Sequence, residues 1–183
     1  GSEMCIRDRI MAETRTFIQS RTQSIGNTSG VMTAINEFFY EDLTRAELFI
    51  TMFYVKFDPV TKTLIYSNAG HNPPLIANRD RETCERLDAE GLIFGVKQTV
   101  EFEEKKTLLT KGDVLLMYTD GLTEAANADG ELFGEERLCQ LLEASETLPP
   151  AEIIESLLNQ IRLFTGNRHF NDDVSLVVLK INA

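Results

Sequence analysis

The sequence predicts an α+β sandwich rather than an alternating βαβ fold. Two helical stretches come first, a run of strands follows, and two further helices precede a last strand. The spacing of apolar residues changes from helical to strand-like near residue 47 and back near residue 133. Helices segregated from strands in this way are typical of α+β domains. With 183 residues, 43% of them hydrophobic, the chain is long enough for one domain with a substantial core.

The first third of the chain is predicted to be helical. Residues 1–9, GSEMCIRDR, are polar and patternless, and we interpret them as a tag-like leader to a domain at residues 10–183. Apolar residues then follow helical spacing from Ile10 to about Ser24. After the break GNTSG, a second helix is predicted from about Val31 to Leu43. Its predicted buried residues are Met32, Ile35, Phe38 and Phe39.

The middle of the chain is predicted to be extended. The segment ELFITMFYVKFD (47–58) is rich in aromatic and β-branched residues, which favours a central strand covered on both faces. The turn DPVTKT connects it to LIYSNAG (64–70) as a hairpin partner. Further strands are predicted after the two prolines, in CERLD, in VEFEEKKTLL (100–109) and in VLLMYTD (114–120).

The last third contains two predicted helices and a strand. Apolar residues recur at helical spacing from Phe133 to about Ala144 and from Ala151 to about Thr165. The second stretch follows LPP, a common entry to a helix. The chain then reads NDDVSLVVLKI, in which a pair of acids leads into a predicted buried strand.

Charge and cysteine content exclude some classes of protein. The net charge of −11 and the absence of a basic stripe argue against a nucleic-acid binder, because phosphate backbones need clustered Lys and Arg. Cys5, Cys84 and Cys139 are odd in number, widely spaced and without a CxxC pair, which favours a reduced, cytoplasmic compartment. No apolar run approaches the ~20 residues that span a bilayer, so no membrane contact is predicted for this segment.

Carboxylates stand at the ends of two predicted strands. Asp120 ends VLLMYTD, while Asp172 and Asp173 precede SLVVL. One interpretation is structural, since Asp-Gly is a common turn dipeptide. The other is a cation site, because neighbouring carboxylates repel one another unless a positive charge lies between them, and hard cations prefer oxygen ligands. Taken alone, these acids favour the turn.

Three longer motifs favour the cation site. The stretches SNAGHNPPLI (67–76), GDVLLMYTDGLTEAANADGELFG (112–134) and DDVSLVVLK (172–180) resemble, in order and spacing, the SpoIIE-type branch of the PPM (type 2C-like) protein phosphatases. The resemblance runs from about Ile10 to Ile181. It implies a PPM-type sandwich of antiparallel β-sheets flanked by helices. It also implies hydrolysis of phosphoserine or phosphothreonine by a water activated by two Mn²⁺ or Mg²⁺ ions.

The resemblance also implies roles for single residues. Asp120 matches a metal-binding acid of the family, and Asp172 matches the acid of its last motif. If the register shifts by one residue, Asp173 is the ligand instead. Gly121 is expected to allow the turn rather than to bind metal.

Two histidines are near-site candidates. His71 lies in the family motif AGHNPP, and His169 lies close to the acid pair. For His71 a structural hydrogen bond at the strand end is the favoured interpretation. For His169 the default is a solvated loop histidine.

One family motif is missing. The resemblance predicts Asp-x-x-Gly-His-Gly before the first helix, where this chain reads GSEMCIRDR. We therefore expect an N-terminally truncated domain with at most part of the metal site. Its expected partner is a phosphorylated protein, an anti-sigma-factor antagonist. An exposed sheet edge would also favour a homodimer. The alternative is a catalytically dead PPM-like module that binds a partner or dimerises.

Overall fold

The computed structural model describes residues 2–21, 25–78, 80, 83–166 and 172–182, with only the backbone described for residues 2–8 and 21. Within these residues the chain forms four α-helices and seven strands, which confirms the α+β class. The helices are α1 Ser2–Arg21, α2 Thr28–Ala46, α3 Gly134–Ser145 and α4 Pro150–Thr165. The strands are β1 Met52–Asp58, β2 Thr63–Ala69, β3 Leu75–Ala77, β4 Glu85–Arg86, β5 Lys105–Leu108, β6 Val114–Tyr118 and β7 Leu176–Lys180.

The chain divides into two compact units, each with one antiparallel sheet. The first unit comprises Gly1–His71 and Ala89–Leu108, and the second comprises Asn72–Asp88 and Leu109–Ala183. No helix in the described part of the chain is long and apolar enough to cross a membrane.

The first helix begins earlier than the sequence predicts. Helix α1 starts at Ser2 rather than Ile10 and ends at Arg21. Residues 2–9 lack apolar periodicity, but adding residues to an existing helix is far easier than nucleating one. The interpretation of residues 1–9 as a leader stays a prediction.

Helix α2 buries one apolar face in the core of the first unit. Its buried side chains recur every three to four residues, as expected for a helix with one face in the core. They include Val31, Met32, Ile35, Phe39 and Leu43. The predicted burial of Phe38 is wrong, because this side chain lies off the stripe and is 60% exposed.

The sheet of the first unit has the strand order β1-β2-β5. The predicted hairpin is confirmed, with Met52 opposite Ala69 and Asp58 opposite Thr63. The prediction of a central strand at 47–58 is wrong, however. Strand β1 lies at the sheet edge and its side chains are half-buried or exposed. An apolar composition alone does not distinguish a central strand from an edge strand that a helix covers on one face.

The sheet of the second unit has the order β4-β3-β6-β7. Strand β6 is central, and Leu116 pairs with Leu75 on one side and with Val178 on the other. The predicted strand in CERLD is reduced to the two residues of β4. The last strand, predicted to be buried, lies at an edge, where Val177 is 56% exposed.

Helices α3 and α4 pack beside this sheet and on each other. Their buried residues Leu138, Leu142, Ile153, Leu157 and Ile161 have the i, i+4 spacing of a helix face. Pro150 begins α4, and Gly166 ends it in the left-handed conformation. Both helices therefore lie close to their predicted positions.

A disulfide connects two parts of the second unit. Cys84 and Cys139 are 55 residues apart in sequence, and their Cα atoms are 5.7 Å apart. The expectation of a reduced chain did not anticipate this pair, because the spacing of cysteines does not reveal which of them meet in the fold.

Candidate functional site

Strand β6 leads to Asp120, which lies at the surface. The strand is buried from Val114 to Leu116, and Thr119 continues it in an extended conformation. A short 3₁₀ turn, Asp120–Leu122, then closes through the backbone, with the Asp120 carbonyl accepting from Glu124 N at 2.8 Å. Leu122 anchors this turn in the core. Asp120 is exposed, and no described residue hydrogen-bonds to its carboxylate.

The loop before β7 is joined to this turn through Thr119. The Thr119 amide donates to the Ser175 carbonyl at 3.1 Å. The Thr119 hydroxyl donates to the Asp173 carbonyl at 3.1 Å and accepts from the Ser175 amide at 2.9 Å. One side chain therefore connects the strand end that bears Asp120 to the loop that bears the acid pair.

Gly121 brings the two stretches into contact. A Cβ atom at this position would lie 2.7 Å from the Asp173 carbonyl oxygen and 3.3 Å from that of Asp172. Gly121 has no positive φ. Glycine is therefore required here for close approach of the two backbones rather than for an unusual turn conformation.

The structure brings together the backbone segments of Asp120, Asp172 and Asp173. Both members of the acid pair are exposed, and the Asp173 amide donates to Asp172 Oδ1 at 2.7 Å. The side-chain atoms that could bind a metal ion are all carboxylate oxygens, which suit Mg²⁺ or Mn²⁺. Among the described side chains, however, no group of three or more His, Cys, Asp or Glu is placed to hold a metal ion. The assignment of these acids as ligands stays a prediction.

Of the two candidate histidines, the structure describes His71. His71 belongs to the first unit, where its Nδ1 lies 3.1 Å from Thr51 Oγ1. Its amide donates to Asn68 Oδ1 and its carbonyl accepts from Asn68 Nδ2, both at 2.9 Å. These bonds agree with a structural role at the end of β2. His169 lies outside the described residues.

A polar cluster next to the strand end that bears Asp120 was not predicted from the sequence. The Tyr118 hydroxyl donates to Glu135 Oε2 at 3.0 Å, and Arg86 Nε lies 3.1 Å from Glu135 Oε1. Burial, together with the neighbouring Glu135 carboxylate, raises the pKa of Tyr118 well above its usual range. The three residues come from β6, α3 and β4, so no local sequence pattern would have revealed the cluster.

The sequence has relatives among bacterial phosphatases. The family model of Stage II sporulation protein E (SpoIIE) matches residues 9–182. The phosphoserine phosphatase RsbU of Bacillus subtilis is 29% identical over 140 residues, which cover 76% of this chain and 41% of RsbU. The chain thus spans less than half the length of this relative.

Solved structures show the same fold. The SiaA-PP2C domain of Pseudomonas aeruginosa has a TM-score of 0.82 at 15% identity, covering 94% of this chain and 69% of that one. The manganese-presoaked phosphatase domain of SpoIIE from Bacillus subtilis has a TM-score of 0.61 at 19% identity, covering 93% and 74%. The fold is therefore of the PP2C (PPM) type. Because the family model matches almost the whole chain, this protein belongs to the SpoIIE family.

Proposed function

We propose that this chain is the phosphatase domain of a metal-dependent enzyme that hydrolyses phosphoserine or phosphothreonine in a protein. The observation that carries the proposal is the contact of Gly121 and Thr119 with the Asp173 backbone. It places the two acid-bearing strand ends side by side in a chain of the SpoIIE family. Paired carboxylates at strand ends suit a divalent cation on which a phosphate ester is cleaved.

Each acid has a proposed role. Asp120 and Asp172 would hold a Mn²⁺ or Mg²⁺ ion, with Asp173 replacing Asp172 if the register differs by one. When bound, the cation supplies an activated water and neutralises charge on the phosphoryl oxygens. The role of the chain is to hold the carboxylates on rigid elements. The Thr119 hydroxyl fixes the acidic loop against the end of β6.

The proposed substrate is a phosphorylated partner protein, an anti-sigma-factor antagonist in a partner-switching pathway. The name of RsbU, a phosphoserine phosphatase, supports a substrate that contains phosphoserine. The net charge of −11 disfavours a nucleic-acid partner. A cytoplasmic location and a homodimer are proposals of the same kind.

The test is hydrolysis of p-nitrophenyl phosphate and of a phosphoserine peptide, with and without Mn²⁺. The wild-type chain is compared with Asp120→Asn and with Asp129→Asn, which makes the same change at an exposed acid of the loop between β6 and α3. Turnover that requires Mn²⁺, is lost in Asp120→Asn and persists in Asp129→Asn supports the proposal. Equal turnover in all three proteins contradicts it.

A second candidate is a partner-binding module without catalytic activity. It is favoured by the absence of a three-ligand group among the described side chains. A folded wild-type chain that shows no Mn²⁺-dependent turnover of either substrate would support the module instead of the enzyme.

A further inference from the structure

The disulfide of the second unit joins a sheet edge to a helix. Cys84 directly precedes β4, and Cys139 lies near the middle of α3. Both cysteines are half-buried against the core of the unit. The two bonded residues are therefore not fully enclosed by the protein.

Strand β4 is short and lies at the edge of its sheet. The strand has two residues, Glu85 and Arg86, both exposed, and among the described strands it pairs only with β3. The Cys84 amide donates to Glu143 Oε1 at 2.7 Å, and Arg86 pairs with Glu135 on a partly exposed surface. Leu87, which follows β4, is buried, and its amide donates to the Pro74 carbonyl at 2.8 Å. Because exposed ion pairs stabilise a structure only weakly, the disulfide adds a covalent constraint to this edge.

The same helix contacts the strand end that bears Asp120. The second oxygen of Glu135 accepts the Tyr118 hydroxyl at 3.0 Å, so this carboxylate bridges Arg86 on β4 and Tyr118 on β6. Tyr118 precedes Thr119 and Asp120 in the chain. Glu135 is therefore a physical link between β4, α3 and the strand end that bears Asp120.

We propose that Cys84 and Cys139 form a reversible redox site whose co-reactant is a low-molecular-weight disulfide of the glutathione type, and that the bond holds the Asp120 strand end in place. In oxidation, one thiolate attacks the external disulfide and releases one small thiol. The second cysteine then displaces the other small thiol, so that two protein thiols become one disulfide and one external disulfide becomes two thiols. The effect on turnover rests on the proposed phosphatase function, whereas the redox site does not.

The first measurement is a redox titration of Cys5→Ser, in which only Cys84 and Cys139 remain. The protein is equilibrated in buffers of different ratios of reduced to oxidised glutathione, trapped with N-ethylmaleimide and digested for mass spectrometry. We expect a two-electron transition between two alkylated cysteines and one cross-linked peptide. Two alkylated cysteines at every ratio, or a cross-link that persists at every ratio, would overturn the redox site.

The second measurement is hydrogen exchange of the oxidised and reduced proteins, with Cys139→Ser as a variant that does not form the bond. We expect faster exchange at Glu85–Arg86 and also at Thr119–Leu122 in the reduced wild type and in the variant. The melting temperature should fall by about 5–15 °C. Unchanged exchange at Thr119–Leu122 would overturn the link to the site.

A turnover assay distinguishes failure of this inference from failure of the proposed function. We expect reduction to slow Mn²⁺-dependent hydrolysis by about threefold or more, with no effect of reductant on Cys139→Ser. Equal rates in the two redox states would overturn the regulatory step. If neither state hydrolyses phosphate, the proposed function fails, and alkylation and hydrogen exchange still decide the redox site and its link to β6.

Discussion

The backbone of Asp173 occupies the space that a side chain on residue 121 would need: a Cβ on Gly121 would lie 2.7 Å from the Asp173 carbonyl oxygen. This contact joins the turn after β6 to the loop before β7. Since a real Cβ essentially never comes so close to a backbone oxygen, any larger residue must shift the turn or the acidic loop from its present position.

The first prediction concerns Gly121→Ala. We expect a loss of stability of about 1–3 kcal/mol, because an extra methyl group in a packed contact forces a backbone shift. If the acids act together, Mn²⁺-dependent turnover should fall at least tenfold. Urea unfolding and the phosphatase assay measure the two effects. Gly26→Ala is the control, since a Cβ at Gly26 meets nothing within 4 Å, and equal stability of the two variants would contradict the argument.

The second prediction concerns the hydroxyl of Thr119. Thr119→Val keeps the branched shape but removes a donor to the Asp173 carbonyl and an acceptor of the Ser175 amide. We expect a loss of about 1–3 kcal/mol from the unpaired backbone groups, together with reduced Mn²⁺-dependent turnover. Thr119→Ser, which retains the hydroxyl, should keep most of the stability and most of the turnover of the wild type. Failure of serine to restore either property would mean that the methyl group, not the hydroxyl, matters.

Much of the second unit could be predicted from local patterns. The apolar i, i+4 stripe of α4 and the proline before it define a helix within one residue of its observed bounds. The run VLLMY was predicted as a strand and is buried in the centre of a sheet. In both segments local propensity and tertiary packing favour the same structure.

The site could be predicted only in part. Acids at strand ends, together with family motifs, indicated Asp120 and Asp172, because those signals lie within short stretches of sequence. The contacts that join the two stretches involve residues more than 50 positions apart, as in the bonds of Thr119 to Asp173 and Ser175. The same holds for Cys84 and Cys139. Such pairs follow from the fold, and a single sequence does not contain them as a pattern.

The third prediction concerns a carboxylate that caps α2. Glu104 Oε2 accepts from the Thr28 amide at 2.6 Å and from the Thr28 hydroxyl at 2.8 Å, at the first residue of the helix. Desolvation raises the pKa of Glu104, but the hydrogen bonds from Thr28 and Ser29 outweigh it, so the pKa is lowered overall. Because the folded protein binds this proton less readily than the unfolded chain, the stabilisation is present above the unfolded pKa of about 4.3 and is lost as the pH falls through the folded pKa.

Glu104→Gln should therefore destabilise the protein by about 0.5–2 kcal/mol at pH 7, the scale of a helix cap. The difference from wild type should shrink as the pH falls below 4. Urea unfolding at pH 7, 5 and 3.5 measures both effects. Glu101→Gln, at an exposed position in the same segment, is the matched control. A difference between Glu104→Gln and wild type that is independent of pH would contradict the cap.

The last prediction compares two adjacent phenylalanines of α2. Phe39 is fully buried, whereas Phe38 is 60% exposed and contacts the ring of Phe17 at 4.8 Å between centroids. Phe39→Ala should cost about 3–5 kcal/mol, because it removes a core ring and leaves a cavity. Phe38→Ala should cost less, about 1–3 kcal/mol, the scale of its two aromatic pairs with Phe17 and Phe39. Thermal and urea unfolding of the two variants measure the difference. A cost for Phe38→Ala as large as that for Phe39→Ala would show that the exposed ring is covered in solution, for example by a second copy of the chain.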